Sequence, residues 1–310
     1  MSGVITTGAN PKLLWEGLNE IFGLKYKEYP PQWKPLFEER PSHKNYEEDQ
    51  ALSGFGLAKV KTEGAALYFD TQVQSYTSRY THKNYALGYI VTEEEFQDNL
   101  YAEVGFSRLR NLIFSIHVTK EHVGANIFNR AFSGSYVGGD GVSLCNDSHP
   151  TQGGTFANVP IDSNGSIAGV DLSEAAVEQG LIDIKDFRDN RNKRIYVQAM
   201  KLIVPNELEY DAERILKNKD RPATADRDIN AMYQLGKLPQ GYVVNTFFSD
   251  SNAWFIGTNM QTGLSYFNRS PVKLDHDNEF DTKNGKYSAR ERYSFGWSDP
   301  RTLWGSPGAG

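Results

Sequence analysis

Between Lys286 and Arg301 the chain alternates with a period of two. Tyr287, Ala289, Tyr293, Phe295 and Trp297 fall on one face, and Ser288, Arg290, Arg292 and Ser294 on the other. That period is the signature of a β-strand. A strand with four aromatics on one face must bury them or become a site of aggregation. Residues 286–297 are therefore expected to complete a core laid down by earlier segments.

Size and composition narrow what that core belongs to. A chain of 310 residues buries about three quarters of its unfolded surface, so size does not limit stability. The balance of 33 basic against 39 acidic residues, a formal charge of -6, argues against a protein that coats nucleic-acid phosphates. A single cysteine, Cys145, offers neither an internal disulfide nor a cysteine-rich metal site. Aromatic content and 28 glycines point to a strand-rich protein with many turns. The first ten residues lack the basic and apolar regions of a secretion signal, and no run approaches the roughly 20 apolar residues of a membrane span. A soluble protein made in the cytoplasm is expected.

Along the chain, residues 1–50 read as an arm. A short helix with Leu14, Leu18, Ile21 and Phe22 in one stripe precedes Pro30, Pro31, Pro35 and Pro41, which keep the backbone extended. Residues 54–91 are strand-like, with turns at Glu63-Gly64 and Asp70-Thr71, but neither face is cleanly apolar, so a hairpin here needs a partner surface. Thr92 to Glu95 forms a capping box. The helical pattern resumes after Gly105, and a continuous helix over 107–130 spans about 36 Å at 1.5 Å per residue. Beyond a glycine-rich connector at 133–141, a capped helix starts at Asp171–Glu174, a turn falls at Asp189–Asn192 and a buried strand covers Ile195–Val204. Pro205 introduces a further helix, and strands follow at 242–248 and 254–257.

The search for chemistry yields little. Six scattered histidines make no metal-ligand spacing. Cys145 and His149 stand too close in sequence for a papain-like pair. Leu274–Asp281 resembles a calcium loop but lacks its glycine and terminal glutamate, and reads as a solvated turn. Gly134–Gly141 matches no phosphate loop. Glu207 with Glu209, or Asp226 with Asp228, leaves a carboxylate-based hydrolase as the one enzymatic alternative.

Four stretches carry a resemblance. Arg290–Arg301 with Gly305–Gly308, Gln74–His82, Lys201–Glu209, and Gly241–Asn245 with Asp250 and Trp254–Ile256 occur in one order, and together they resemble the Mu-like family of tailed-phage major capsid proteins. The resemblance implies an α+β Hong Kong 97-type fold. Its parts would be an N-terminal arm over residues 1–50, an E-loop hairpin over 51–91, and a P domain with a long spine helix over 92–144. A mixed A domain would cover 145–262, and return strands over 263–310 would complete the P domain. It implies an arm and E-loop that reach over neighbouring subunits, hexamers and pentamers closing an icosahedral head around double-stranded DNA, and a virion location. Lys59, Lys61, Glu63 and Arg79 are the candidate inter-subunit contacts. No catalytic residue, metal or cofactor is expected, nor a covalent crosslink between subunits. Scaffolding, portal and decoration proteins would be separate partners. An encapsulin-like compartment shares the fold and is the main alternative.

Overall fold

A computed structural model describes residues 26, 28–92, 94–95, 106–219, 229–260, 263–279 and 284–309. The proposed helix near Leu14–Phe22, most of the segment opened by the capping box and the Asp226–Asp228 pair lie outside these residues.

Two four-stranded sheets organise the described chain. The first has the order β1-β10-β11-β4, formed by Glu38–Pro41, Leu264–Asn278, Gly285–Trp297 and Lys83–Val91; β1 runs parallel to β10 and the other pairs are antiparallel. The alternating segment is β11, and it lies between β10 and β4. Its Tyr287 and Ala289 are buried in one core and Tyr293 in a second, against which Phe295 and Trp297 are half-buried. The acidic stretch read as a solvated turn at 274–281 is instead strand through Asn278, with Leu274 opposite Ala289 and Asn278 opposite Gly285. Asp275, His276, Asp277 and Asn278 are all exposed, so this end of the strand keeps its ladder while both of its faces meet solvent. Register slips between Asn268 and Lys273. Pro271 interrupts the strand there, past the end of β1, where its missing N–H costs no ladder bond to that strand.

Helix α1, Phe106–Asn129, is the long helix of the sequence reading. Its Leu109, Leu112, Ile113 and Ile116 bury against Tyr287 and Ala289 of β11 and Val91 of β4, and farther along Phe128 packs edge-on against Phe37 and Phe255. Close approach in the sheet needs Gly88, where a Cβ would stand 2.6 Å from the Tyr287 carbonyl oxygen.

The second sheet has the order β12-β9-β7-β8, formed by Leu303–Ser306, Trp254–Thr258, Ala199–Val204 and Tyr242–Val244. Strand β7 is shorter than the span 195–204 expected for it; Ile195 to Gln198 approach the sheet outside the ladder. Both faces of this sheet are buried, and period two sorts its residues. Leu202, Val204, Trp254, Ile256 and Trp304 face helices α2 (Glu174–Lys185) and α3 (Glu209–Lys217), while Ile203, Phe255 and Leu303 face Phe128, Leu144 and Cys145. The sheet is thus a wall shared by two cores, which is why its strands read as continuous apolar runs.

Asn158 ties this wall to the loops beside it. Its buried amide donates to the carbonyls of Leu144, Pro300 and Leu303, and its Oδ1 accepts from the Asn146 N–H at 2.8 Å and faces His149 Nε2 at 3.1 Å. His149 Nδ1 lies 2.7 Å from the Asp140 carboxylate, so the histidine four residues after Cys145 is a structural link; the Cys145 thiol is itself fully buried. Removing these bonds leaves several buried groups unpaired, each costing about 1–3 kcal/mol. Asn158→Ala should lower the urea midpoint of the subunit with an unchanged m-value.

Candidate assembly surfaces

The segment after Tyr29 folds back onto its own subunit. The buried Glu121 carboxylate of α1 accepts the backbone N–H groups of Gln32 and Trp33, each at 3.0 Å, and so caps the turn that buries Trp33, Leu36 and Phe37. Burial pushes the Glu121 carboxyl up, against the pull of these two N–H donors. The Gln32 side chain exchanges two bonds with Thr246. From Pro31 to Pro41 the chain packs as a strap on its own subunit, one of the two placements open to this segment, the other being the reach over a neighbour that the resemblance implies. Deep aromatic burial decides this for a stretch whose prolines said only that it is extended.

Beneath the strap lies a buried charge. Glu291 sits on the apolar face of β11, in phase with Ala289 and Tyr293, and is 2% exposed. Lys120 Nζ of α1 approaches its Oε2 at 2.6 Å, and the Tyr26 hydroxyl donates to its Oε1 at 2.6 Å while accepting from Lys120 at 2.8 Å. The rings of Trp33, Tyr266 and Tyr293 surround the ammonium at 5.3–5.9 Å. Burial and then the Glu291 charge hold the Tyr26 hydroxyl far above its ordinary range. Sequence reasoning passed over Glu291, although a charge in phase with four aromatics was the available signal.

The projecting element is a hairpin of β2 (Tyr46–Leu52) and β3 (Gln74–Thr81). It begins earlier than the expected residue 51, and β4, assigned with it, joins the first sheet instead. Tyr46-Glu-Glu-Asp-Gln carries no apolar alternation because much of this hairpin faces solvent, so β2 gave no signal. Its base is pinned by polar side chains. The Tyr80 hydroxyl lies 2.5 Å from Ser298 Oγ, which donates to Asp49 at 2.6 Å. His82 lies between Ser42 and Ser294, each at 2.9 Å. Because the Ser42 hydroxyl donates to Glu47, it accepts from His82 Nε2, leaving Nδ1 to accept from Ser294.

Burial, and then Arg292, hold the His82 pKa below its ordinary 6.5. A depressed histidine contributes stability above the unfolded value that is lost as pH falls through the folded one. Acidification from pH 7 to 5 should therefore lower the melting temperature of the wild type more than that of His82→Gln. Equal losses would show that the ring does not titrate against folding.

Residues 53–73 beyond the ladder contain no strand, and they expose Phe55, Leu57 at 78%, Val60 at 95%, Leu67 and Phe69 at 85%. The loop is clamped by the turn expected at Asp189–Asn192. Asn192 adopts a φ of 64° there, and the turn presents Arg191 to the Asp70 carboxylate at 2.6 Å and to the Thr71 carbonyl, and Lys193 to the Phe55 carbonyl. The backbone N–H groups of Gly56 and Thr71, with Arg191, hold the Asp70 carboxyl below its usual range. Among the four candidate contacts, Lys59 lies 3.9 Å over the Tyr68 ring, and Lys61 and Glu63 are exposed beside the turn at Gly64. Arg79 is apart from them on β3, stacked on Tyr46 at 3.8 Å and paired with Glu48 at 3.4 Å.

The comparisons with known proteins agree with this architecture. Residues 75–305 match the family described as phage capsid protein, about three quarters of the chain. The chain belongs to the phage capsid protein family. The capsid fold extends to remote solved structures. The mature capsid of bacteriophage PhiM1 is similar with a TM-score of 0.56 and 8% identity, over 90% of this chain and 87% of that one. The capsid of a native GTA particle gives 0.54 and 12%, over 89% of each chain. A virus-like particle from Pyrococcus furiosus gives 0.50 and 9%, over 94% of this chain and 99% of that one. No curated protein sequence matches the chain. The subunit is a major capsid protein of a tailed phage with the Hong Kong 97-type α+β fold, a structural component of an oligomeric shell and of the virion.

Proposed function

We propose that the subunit assembles into hexamers and pentamers that close an icosahedral head around double-stranded DNA, without catalysing a reaction. The observation that carries this reading is the hairpin loop. Leu57, Val60, Leu67 and Phe69 are all exposed within the loop that joins β2 to β3, and apolar groups concentrated on one exposed loop suit an interface. The hairpin and its loop correspond to the E-loop, the first sheet with α1 to the P domain, and the second sheet with α2 and α3 to the A domain. Lys61 and Glu63 are proposed contacts with a neighbour. Arg79 braces the hairpin that delivers them.

Modest contacts in large number suit such a shell, because errors dissolve before closure and multivalency supplies the final stability. The acidic subunit contains DNA without gripping its phosphates. Synthesis is in the host cytoplasm, with scaffolding, portal and decoration proteins as separate partners. Electron microscopy of purified protein tests the reading: shells or capsomers support it, and a monomer at every concentration sinks it. Shells loaded with enzyme would favour the encapsulin-like compartment.

A variant separates assembly from folding. Leu57→Ser with Val60→Ser and Phe69→Ser removes exposed apolar groups, so thermal unfolding of the subunit should change by no more than about 0.5 kcal/mol per site. Shell yield should fall sharply. Wild-type yields from the triple variant would show that the loop is not the interface.

A further inference from the structure

The second sheet carries two solvent-facing features that suit one another. The first is a groove of about 640 Å³ between the end of α2, residues 194–199, and the loop after α4 (Ala231–Leu235). Leu181, Ile184 and Val197 form its floor, and Tyr196 and Leu235 stand exposed at its rim. Three cations line it: Lys185, Arg194 and Lys237. Arg194 is paired with Asp186 at 2.7 Å, whereas Lys185 and Lys237 have no ion-pair partner among the described residues.

The second feature is the turn Asn206–Leu208 leading into α3. It presents Glu207, Glu209 and Asp211 together with Tyr210, which is 72% exposed. Asp211 is neutralised by Arg214 at 2.7 Å, and Glu207 and Glu209 form no ion pair among the described residues. Two cations beside an apolar floor thus match two carboxylates beside an exposed aromatic ring, none of the four in an ion pair among the described residues.

Both features are reached from strand β7. The groove is built from residues that enter the strand at Ala199, and the acidic turn leaves it after Val204. Six residues of strand separate them by about 20 Å, so the turn of one subunit does not reach its own groove. We infer that the acidic turn of one copy docks in the basic groove of the next, so that this head-to-tail contact sets the order of subunits around a capsomer. A heterologous contact of this kind makes closed rings when its rotation closes, and the charges set register and exclude the reversed arrangement. The inference rests on the assembly reading above and names the surfaces that it uses.

Charge reversal tests it, with rings counted by native mass spectrometry. Lys185→Glu with Lys237→Glu places like charges at every contact, and so does Glu207→Lys with Glu209→Lys. Each double variant alone should lose about tenfold or more in ring yield. Mixed, they meet only in alternation, each contact again pairing opposite charges, so six-subunit rings should return and five-subunit rings should not. Wild-type rings should weaken in about 1 M salt, where charges are screened within roughly 3 Å. Full ring yield from either variant alone, no recovery on mixing, or wild-type rings indifferent to salt would overturn the inference. Absence of wild-type rings and shells under all conditions would instead remove the assembly reading beneath it.

Discussion

Glu291→Ala should destabilise the subunit by about 3–5 kcal/mol, the cost of leaving a buried charge without its partner. Lys120 is the charge that would be left. It lies among Trp33, Tyr266 and Tyr293 with little access to water, and the Tyr26 hydroxyl would lose its acceptor at the same time. Urea unfolding of the unassembled subunit measures the loss. The paired variant Lys120→Met with Glu291→Leu discriminates further. It removes both charges and fills the space with apolar atoms, so it should recover most of the stability lost by Glu291→Ala. A double variant as unstable as the single one would mean that the pair itself, and not the orphaned lysine, carries the effect.

The second large effect is expected at the shared wall. Trp254 is fully buried, packs on Trp304 with ring centroids 5.2 Å apart, and donates its indole N–H to the Val170 carbonyl at 2.9 Å. Trp254→Ala removes a large side chain from a close-packed site, which costs about 3–5 kcal/mol. Gly180 of α2 approaches here so closely that a Cβ would lie 2.9 Å from Ile256 and 3.1 Å from Trp304, so the helix has little freedom to collapse into the cavity. Trp297→Ala should cost less, since that ring is only half-buried beside Gly138. The order of the two urea midpoints checks the argument, and a reversed order would refute it.

The elements legible in the sequence were those whose burial leaves a period. Strand β11 announced itself through its aromatics, α1 through its apolar stripe, and the second sheet through short apolar runs. The turn at Asp189–Asn192 was legible from its residue types, but its work as a clamp on the hairpin loop was not, because Asp70 lies 121 residues from Arg191. Strand β2 was invisible for the opposite reason: its residues alternate between exposed and half-buried, so no core face imprints a period on the sequence. The docking of Trp33 and Phe37 depends on Glu121 meeting two backbone N–H groups, a contact no local pattern encodes. The candidate contact residues differ in setting: Lys59 lies over Tyr68 and Arg79 over Tyr46, while Lys61 and Glu63 are exposed beside the turn at Gly64.

The sheet buried on both faces also has a mechanical consequence. A load applied to the side covered by α2 and α3 passes through Trp254, Phe255 and Ile256, three successive residues of one strand that face alternate cores, into the side carrying α1. The two halves cannot yield one after the other. Calorimetry of the free subunit should show a single transition, lowered alike by damage to either side of the sheet. In a shell of such subunits strain is expected to collect in the β2–β3 loop and at the slipped ladder between Asn268 and Lys273, and to spare the shared wall.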